Sequence, residues 1–297
     1  MKAHTCFTIE QHEDMTFPFS IYKNPINKNK RLLPHYHESF EIIYISKGSM
    51  HLKIGNDTFI ATKGEIYFSN LYQLHSVEPF DNIEGEFYAF VFDKKIITQV
   101  NTSIHYQQYI IPFLQGEHRF PVSIDPSYPD YERLTKSITE ILQEYMEKKI
   151  GYEICISSEI EKLLILLTRY NKYINHEYLE ISQINKEIID KMWLYIKEKY
   201  HQKITLDGIS AALYINKYHF CRVIKKLTGS SFTQLLALYR IQQAINLLST
   251  TDLPINSIVE ECGFTNQSYF NRMYIKYVGE KPSQTRKRII YNKSMTT

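Results

Sequence analysis

Asn216–Leu227 reads NKYHFCRVIKKL, and fifty residues on, Asn266–Tyr277 reads NQSYFNRMYIKY. In the first segment Phe220, Val223, Ile224 and Leu227 fall at i, i+3, i+4 and i+7, so a 3.6-residue period gathers them on one face. The opposite face carries Tyr218, Cys221, Arg222 and Lys225, with Lys217 at its edge. The second segment repeats the design: Phe270, Met273, Tyr274 and Tyr277 make the apolar face, and Ser268, Asn271, Arg272 and Ile275 look outward. Arg222 answers to Arg272, Lys226 to Lys276 and Gly229 to Gly279.

Upstream, Leu206, Ile209 and Leu213 answer to Ile255, Ile258 and Cys262 at an offset of 49, so one residue is gained in the turn between the two helices of the second copy. A short helix, a tight turn and a longer helix with a polar outer face make a helix-turn-helix, here twice, at about 205–227 and 254–277. Thr205 precedes the first short helix; Asp252 precedes the second, with Pro254 just inside it. Gly229 and Gly279 stop the longer helices where a left-handed residue is required. The stretch Phe232–Leu248 is a continuous helical pattern that can join the two units rigidly, and a helix over Ile184–Tyr200 completes the first.

Charge follows the same division. From Ser182 to the end there are 17 Lys and Arg against 8 Asp and Glu, a net of +9, whereas residues 1–181 hold 18 against 24, a net of −6, giving +3 for the chain. A basic terminal third is the footprint of a segment that meets polyanions. At 297 residues the chain exceeds one average domain. No apolar run reaches the roughly 20 residues of a membrane span. Met1–Glu10 lacks the apolar core of a signal peptide, which predicts a cytoplasmic protein. Cys6, Cys155, Cys221 and Cys262 form no pair at metal spacing and fit reduced thiols.

Residues 34–92 read as β structure. Phe40–Ser46, Ser49–Ile54, Thr58–Ala61, Glu65–Phe68 and Glu86–Phe92 are β-branched or aromatic runs, separated by turn signals at Gly48, Gly55-Asn56-Asp57, Lys63-Gly64 and Asp81-Asn82. Strands this short and this regularly spaced predict a barrel or sandwich. Four prolines make Pro112–Pro129 an expected irregular connection. Helices are expected over Tyr131–Lys148 and about Glu153–Tyr173, the second with Ile156, Ile160, Leu163, Leu164, Leu167 and Tyr170 on one stripe. That stripe needs a partner, either the barrel or a second subunit. The polar stretch Asn171–Gln183 is the expected linker.

The residues ITLDGISAALYINKYHFCRVIKKLTGSSF and YRIQQAINLLSTTDLPINSIVEECGFTNQSYFNRMYIKYVGEKPSQTRK resemble the DNA-binding domain of the AraC/XylS family over roughly Ile189–Arg288. Gly208, Cys221 and Thr285 depart from the usual residues at their positions. The resemblance implies an α+β multidomain fold: a cupin-like ligand-sensing β-barrel over residues 1–125, a helical connector or dimerisation region over 126–175, and an all-α DNA-binding domain over 182–297. It implies double-stranded DNA as partner, a small-molecule effector, a homodimer and contact with RNA polymerase. A recognition helix fits the major groove, where base edges carry a distinguishable donor/acceptor pattern. Arg222 and Arg272 suit guanine; Asn266, Gln267 and Asn271 suit adenine or phosphate; Tyr218 offers its ring to a thymine methyl; Cys221 and Ser268 share the outward faces. Lys217, Lys225, Lys226 and Lys276 suit phosphates, which position without specifying.

The segment PHYHESFEIIYISKG holds His35-x-His37-x3-Glu41-x6-Gly48 and resembles the first motif of the cupin barrel, in which two His and a Glu can bind a metal. His75 stands where the second cupin motif has its ligand, although Asn70–His75 lacks the usual turn. We expect His35, His37, Glu41 and His75 to line an effector pocket rather than a catalytic metal centre, with no resident cofactor. Phe19, Tyr44, Tyr67 and Tyr88 are candidates to stack on a sugar or to form core. Two alternatives stay open: a metal-dependent cupin enzyme fused to a DNA-binding unit, and a constitutive regulator with an empty barrel. No Ser/His/Asp or Cys/His catalytic arrangement can be assigned. Effector, operator and direction of regulation are not legible.

Overall fold

The structure, a computed structural model, describes residues 17–28, 30–81, 83–98, 103–116, 118–173 and 183–294. The expectations placed on Met1–Glu10, Cys6, Asn82 and most of the linker lie outside the described residues. Contacts divide the chain into two units, one drawn from most of residues 9–186 and the other from Glu187–Thr297 together with short upstream stretches.

The strands form two antiparallel sheets. β1 (Phe19–Ile26), β8 (Gly85–Phe92), β3 (Phe40–Lys47), β6 (Ile66–Ser69) and β9 (Ser123–Ile124) lie in that order in one; β2 (Leu32–His35), β7 (His75–Pro79), β4 (Ser49–Ile54) and β5 (Asp57–Thr62) form the other. Strands β1, β2, β7 and β9 are additions to the sequence reading. Pro25 in β1 and Pro34 in β2 are tolerated because both strands are sheet edges, where a missing ladder N–H is not needed.

The five-stranded sheet is covered on both faces, which is why β3 reads as an almost unbroken apolar run instead of an alternation. Phe40 and Ile42, with Phe19, Ile21, Ile66, Phe68, Phe90 and Phe92, share one core with two helices, α4 (Tyr131–Glu147) and α5 (Tyr152–Tyr173). The alternate residues of β3, Glu41, Ile43 and Ile45, are equally buried on the other face. In β4, Met50, Leu52 and Ile54 are buried while Lys53 is exposed, so that sheet keeps one wet face.

This packing decides the stripe on α5. Ile156, Ile160, Leu163, Leu164, Leu167 and Tyr170 are all at most 4% exposed and belong to the same core as Ile138 and Ile141 of α4. The stripe is filled by its own unit and is not a dimer face. Phe19, Tyr44 and Tyr88 also lie in or against this helix-covered core, so they are not stacking residues of the barrel interior.

Between β8 and α4 run α1 (Lys95–Thr98), α2 (Ile104–Tyr109) and α3 (Ile111–Leu114). The proline-rich stretch is therefore less irregular than expected: Pro112 sits in the first turn of α3, where a missing N–H costs nothing. Asn171, assigned to the linker, is the buried last turn of α5 and donates its amide to the Arg119 carbonyl.

The described residues from 183 onward are helical: α6 (Gln183–Lys199), α7 (Leu206–Ala212), α8 (Lys217–Thr228), α9 (Phe232–Thr250), α10 (Ile255–Glu261), α11 (Gln267–Val278) and α12 (Pro282–Ser294). Helix α9 buries Leu235, Leu236, Leu238, Ile241, Ala244, Ile245 and Leu248 against the units before and after it, and a Ser231–Gln234 capping box fixes its start. No helix among the described residues is long and apolar enough to cross a membrane.

Candidate functional site

Helices α8 and α11 are framed alike. Asn216 accepts from the N–H groups of Tyr218 and His219, and Asn266 accepts from Tyr269 N–H at 2.9 Å, so each asparagine caps its helix. At the other end Gly229 (φ 74°) and Gly279 (φ 82°) take the left-handed cap. The N-cap role was missed in the sequence, where Asn266 was assigned to base or phosphate reading; its side-chain oxygen is committed to the helix end. The second short helix also starts differently from expectation. Pro254, not Asp252, occupies the N-cap of α10, and no side chain caps it. Thr205 does cap α7, accepting from Gly208 N–H at 3.0 Å.

The buried faces are as the period requires. Phe220, Val223, Ile224 and Leu227 are buried in α8, and Phe270, Tyr274 and Tyr277 in α11, with Met273 half-buried. On the outer face of α8 Tyr218, Arg222 and Lys225 are exposed and Cys221 is half-buried. Arg222 Nη2 donates to His219 Nδ1 at 3.2 Å, and Lys225 Nζ donates to the Gly229 carbonyl at 2.7 Å. Lys217 pairs with Asp207 of α7 at 2.8 Å. On α11 Ser268 and Arg272 are exposed and Asn271 is half-buried; the Arg272 guanidinium stands 5.3 Å from the Tyr269 ring centroid, and Gln267 donates to Asn256 of α10 at 2.6 Å.

Two positions that departed from the family pattern are used. Thr285 is buried and donates to Glu280 Oε1 at 2.7 Å, an oxygen that also accepts from Arg288 at 2.9 Å. Gly208 leaves its N–H to the Thr205 cap. Sequence reasoning missed Arg240 of α9, which donates to the carbonyls of Tyr200 and Gln202 at 2.8 and 2.7 Å and packs on Phe264. An arginine in a basic domain reads as surface charge until the fold shows what it ties.

Among the β-strands the four cluster residues come together. Glu41 on β3, fully buried, lies with Oε2 2.8 Å from His37 Nε2 and 2.9 Å from His75 Nε2. His35 joins them, and one donor atom from each of the four lies within 4.8 Å of the others. Burial alone would raise the Glu41 carboxyl, but the imidazoles of His75 and His37 hold it well below the usual carboxylate range. Each ring is oriented by the backbone: Nδ1 of His35, His37 and His75 lies 2.9 Å from the carbonyls of Leu33, Ser39 and Gln73 respectively. A carbonyl only accepts, so each Nδ1 carries a proton.

A model described as a helix-turn-helix domain matches residues 209–288, and one described as an AraC-like ligand binding domain matches 27–164. The chain belongs to the AraC family of transcriptional regulators. It is 24% identical over 274 residues to YdeC, an HTH-type transcriptional regulator of Bacillus subtilis, covering 88% of this chain and 89% of that one. To the transcriptional activator RhaS of Shigella sonnei it is 20% identical over 258 residues, covering 85% and 86%. The fold is that of ToxT from Vibrio cholerae, solved with an unsaturated fatty acid bound: TM-score 0.57, 14% identity, 93% of this chain and 97% of that one. It is thus a DNA-binding regulator with an N-terminal ligand-binding domain, as the sequence reading expected.

Proposed function

We propose that this regulator reads double-stranded DNA with the outward faces of α8 and α11 and responds to a small molecule held in its barrel. The observation that carries the first half is the pair of like-capped helices, each with an exposed arginine, packed on one buried helix α9. Helices so linked can enter successive major grooves about 34 Å apart on one face of the duplex. Arg222 and Arg272 read guanine, and Tyr218, Cys221, Ser268, Asn271 and Gln267 lie around them; Lys225 and Lys217 serve phosphates. Asn266 contributes through its amide N–H groups, its oxygen being the helix cap.

Titration of the full chain against duplex from its own upstream region tests this. Affinity falls with salt at a slope of about 0.9 per phosphate neutralised. Salt-insensitive or absent binding contradicts it. In the barrel, His35, His37, Glu41 and His75 form the polar end of the effector site, and a thermal-shift screen finds the effector, because a ligand bound only by the native state raises the melting temperature. Relatives that are regulators throughout favour this reading over a barrel with turnover of its own. We extend it to a cytoplasmic homodimer that contacts RNA polymerase. Met146, Ile150 and Ile154 at the α4–α5 turn are exposed apolar residues suited to a second copy, and sedimentation of Ile150→Glu with Ile154→Glu reads that contact directly.

A further inference from the structure

The two helix-turn-helix copies agree in more than their caps and their arginines. NKYHFCR and NQSYFNR share one spacing: an asparagine at the helix cap, a ring three residues on, and an arginine three residues after that. Residues three apart on a helix are neighbours, so each ring stands against its arginine. In α8 His219 Nδ1 lies 3.2 Å from Arg222 Nη2. A guanidinium only donates, so Nδ1 accepts and the ring's proton sits on Nε2. In α11 the Arg272 guanidinium stands 5.3 Å from the centroid of the Tyr269 ring, within reach of a cation–π contact. That ring is itself anchored, with Phe264 of the preceding turn 6.1 Å away between centroids. Both arginines are exposed, and among the described residues neither pairs with a carboxylate. A carboxylate brace would cancel the charge that draws an arginine to DNA; an imidazole nitrogen and a ring face hold the side chain and leave its charge intact.

We propose that His219 and Tyr269 are positioning residues: they hold Arg222 and Arg272 ready for the base edge and so raise the sequence discrimination of the two helices. This rests on the reading given above, in which the two arginines read guanine. An arginine side chain loses torsional freedom when it docks, and immobilising one such side chain weakens binding by about two- to tenfold. A brace that orders the side chain beforehand removes part of that loss. Of the five N–H donors of Arg222 one goes to His219, and the four that remain suffice for the two-pronged contact with guanine O6 and N7. Arg272 keeps all five, because a ring face takes none of them.

The full chain is bound in competition to duplex from its own upstream region and to a scrambled duplex of equal length, at one salt concentration. His219→Ala and Tyr269→Leu should each lower the operator-to-scrambled affinity ratio by about 3- to 10-fold. His219→Gln, whose amide oxygen accepts, and Tyr269→Phe, which keeps the ring face, should restore it; failure of both to do so leaves a packing role and overturns the proposal. Added to Arg222→Ala, His219→Ala should cost nothing more, and Tyr269→Leu nothing more on Arg272→Ala, since each ring acts only through its arginine. Additive losses would make the rings direct DNA contacts and overturn the proposal, as would an unchanged ratio in the folded single variants. Urea midpoints report folding. Where a single variant does not fold, His219→Lys or Tyr269→Lys sets a cation beside the arginine on a stem that packs as well, and should lose at least as much. If Arg222→Ala and Arg272→Ala themselves leave the ratio unchanged, the guanine reading falls and the braces with it; if they lower it and the ring variants do not, the braces alone fall.

Discussion

Gly263→Ala should unfold the second unit far more readily than its small size suggests. Gly263 lies in the turn between α10 and α11 at φ +74°, and a Cβ there would stand 2.3 Å from the Tyr200 carbonyl oxygen and 2.8 and 2.9 Å from the His201 carbonyl carbon and oxygen. The left-handed backbone costs an L residue about 1 kcal/mol. Forcing backbone off backbone adds about 1–3 kcal/mol, giving about 2–4 kcal/mol in all. The matching residue of the first turn is Tyr214, also left-handed at φ 54° but with its side chain in solvent, 99% exposed. Tyr214→Gly exchanges that strain for glycine's entropy and should change stability by less than about 1 kcal/mol. Urea unfolding of the full chain, followed by Trp193 fluorescence, reads both variants, since Trp193 is the single tryptophan and is buried on α6 of this unit. With a slope of about 2 kcal/mol per molar urea, Gly263→Ala lowers the midpoint by about 1–2 M and Tyr214→Gly by little. Equal midpoints for the two would refute the close approach of the turn to Tyr200 and His201.

Arg222→Ala and Arg272→Ala should each lose about 1–3 kcal/mol of discrimination between operator and scrambled duplex in competition binding. Lys225→Ala should instead weaken both duplexes alike, and identical behaviour of arginine and lysine variants would sink that division of roles. Leu163→Asp with Leu167→Asp should unfold the first unit in calorimetry, each buried charge costing several kcal/mol; a folded variant that only dissociates would return the stripe to a subunit interface. Burial pushes the Cys262 thiol up to about 12, so iodoacetamide at pH 8 should alkylate exposed Cys155 and spare Cys262, as peptide mass spectrometry will read. Equal labelling of the two in the native chain contradicts the packing of α10.

The second unit was legible because its information is local. A period of 3.6, a glycine at each helix end and an offset of 49 or 50 all lie within short windows, and each window carries one face of one helix. The first unit was half legible for the converse reason. Strands β4 and β5 turn one side to water, and their bounds agree with the sequence to a residue or so. Strands β1 and β2 were not read from the sequence; each contains a proline, which a sheet edge tolerates, and edge status is a property of the whole sheet that no local window shows. The α5 stripe shows the same limit. Periodicity established that one face is buried and could not say by what, since the outer face of the five-stranded sheet and a second copy of α5 ask for the same residues.

At the sites, what the chain hides is which polar group is already occupied. Asn216 and Asn266 look outward by residue type and by angle, and both spend their oxygen on a helix cap. Lys217 and Gln267 are turned to Asp207 and Asn256, so DNA must displace those partners or accept them as braces. The histidine cluster inverts the case. His35, His37 and Glu41 were found together because they fall within seven residues, and His75 because it lies where a barrel brings its return strand. Their spacing suited a metal as well as a polar pocket. What the sequence could not show is the set of backbone carbonyls of Leu33, Ser39 and Gln73, which orient each ring through its Nδ1. Those acceptors carry no residue signature, since any amino acid at 33, 39 or 73 would present the same oxygen, and only the path of β2 and β7 past β3 aims it.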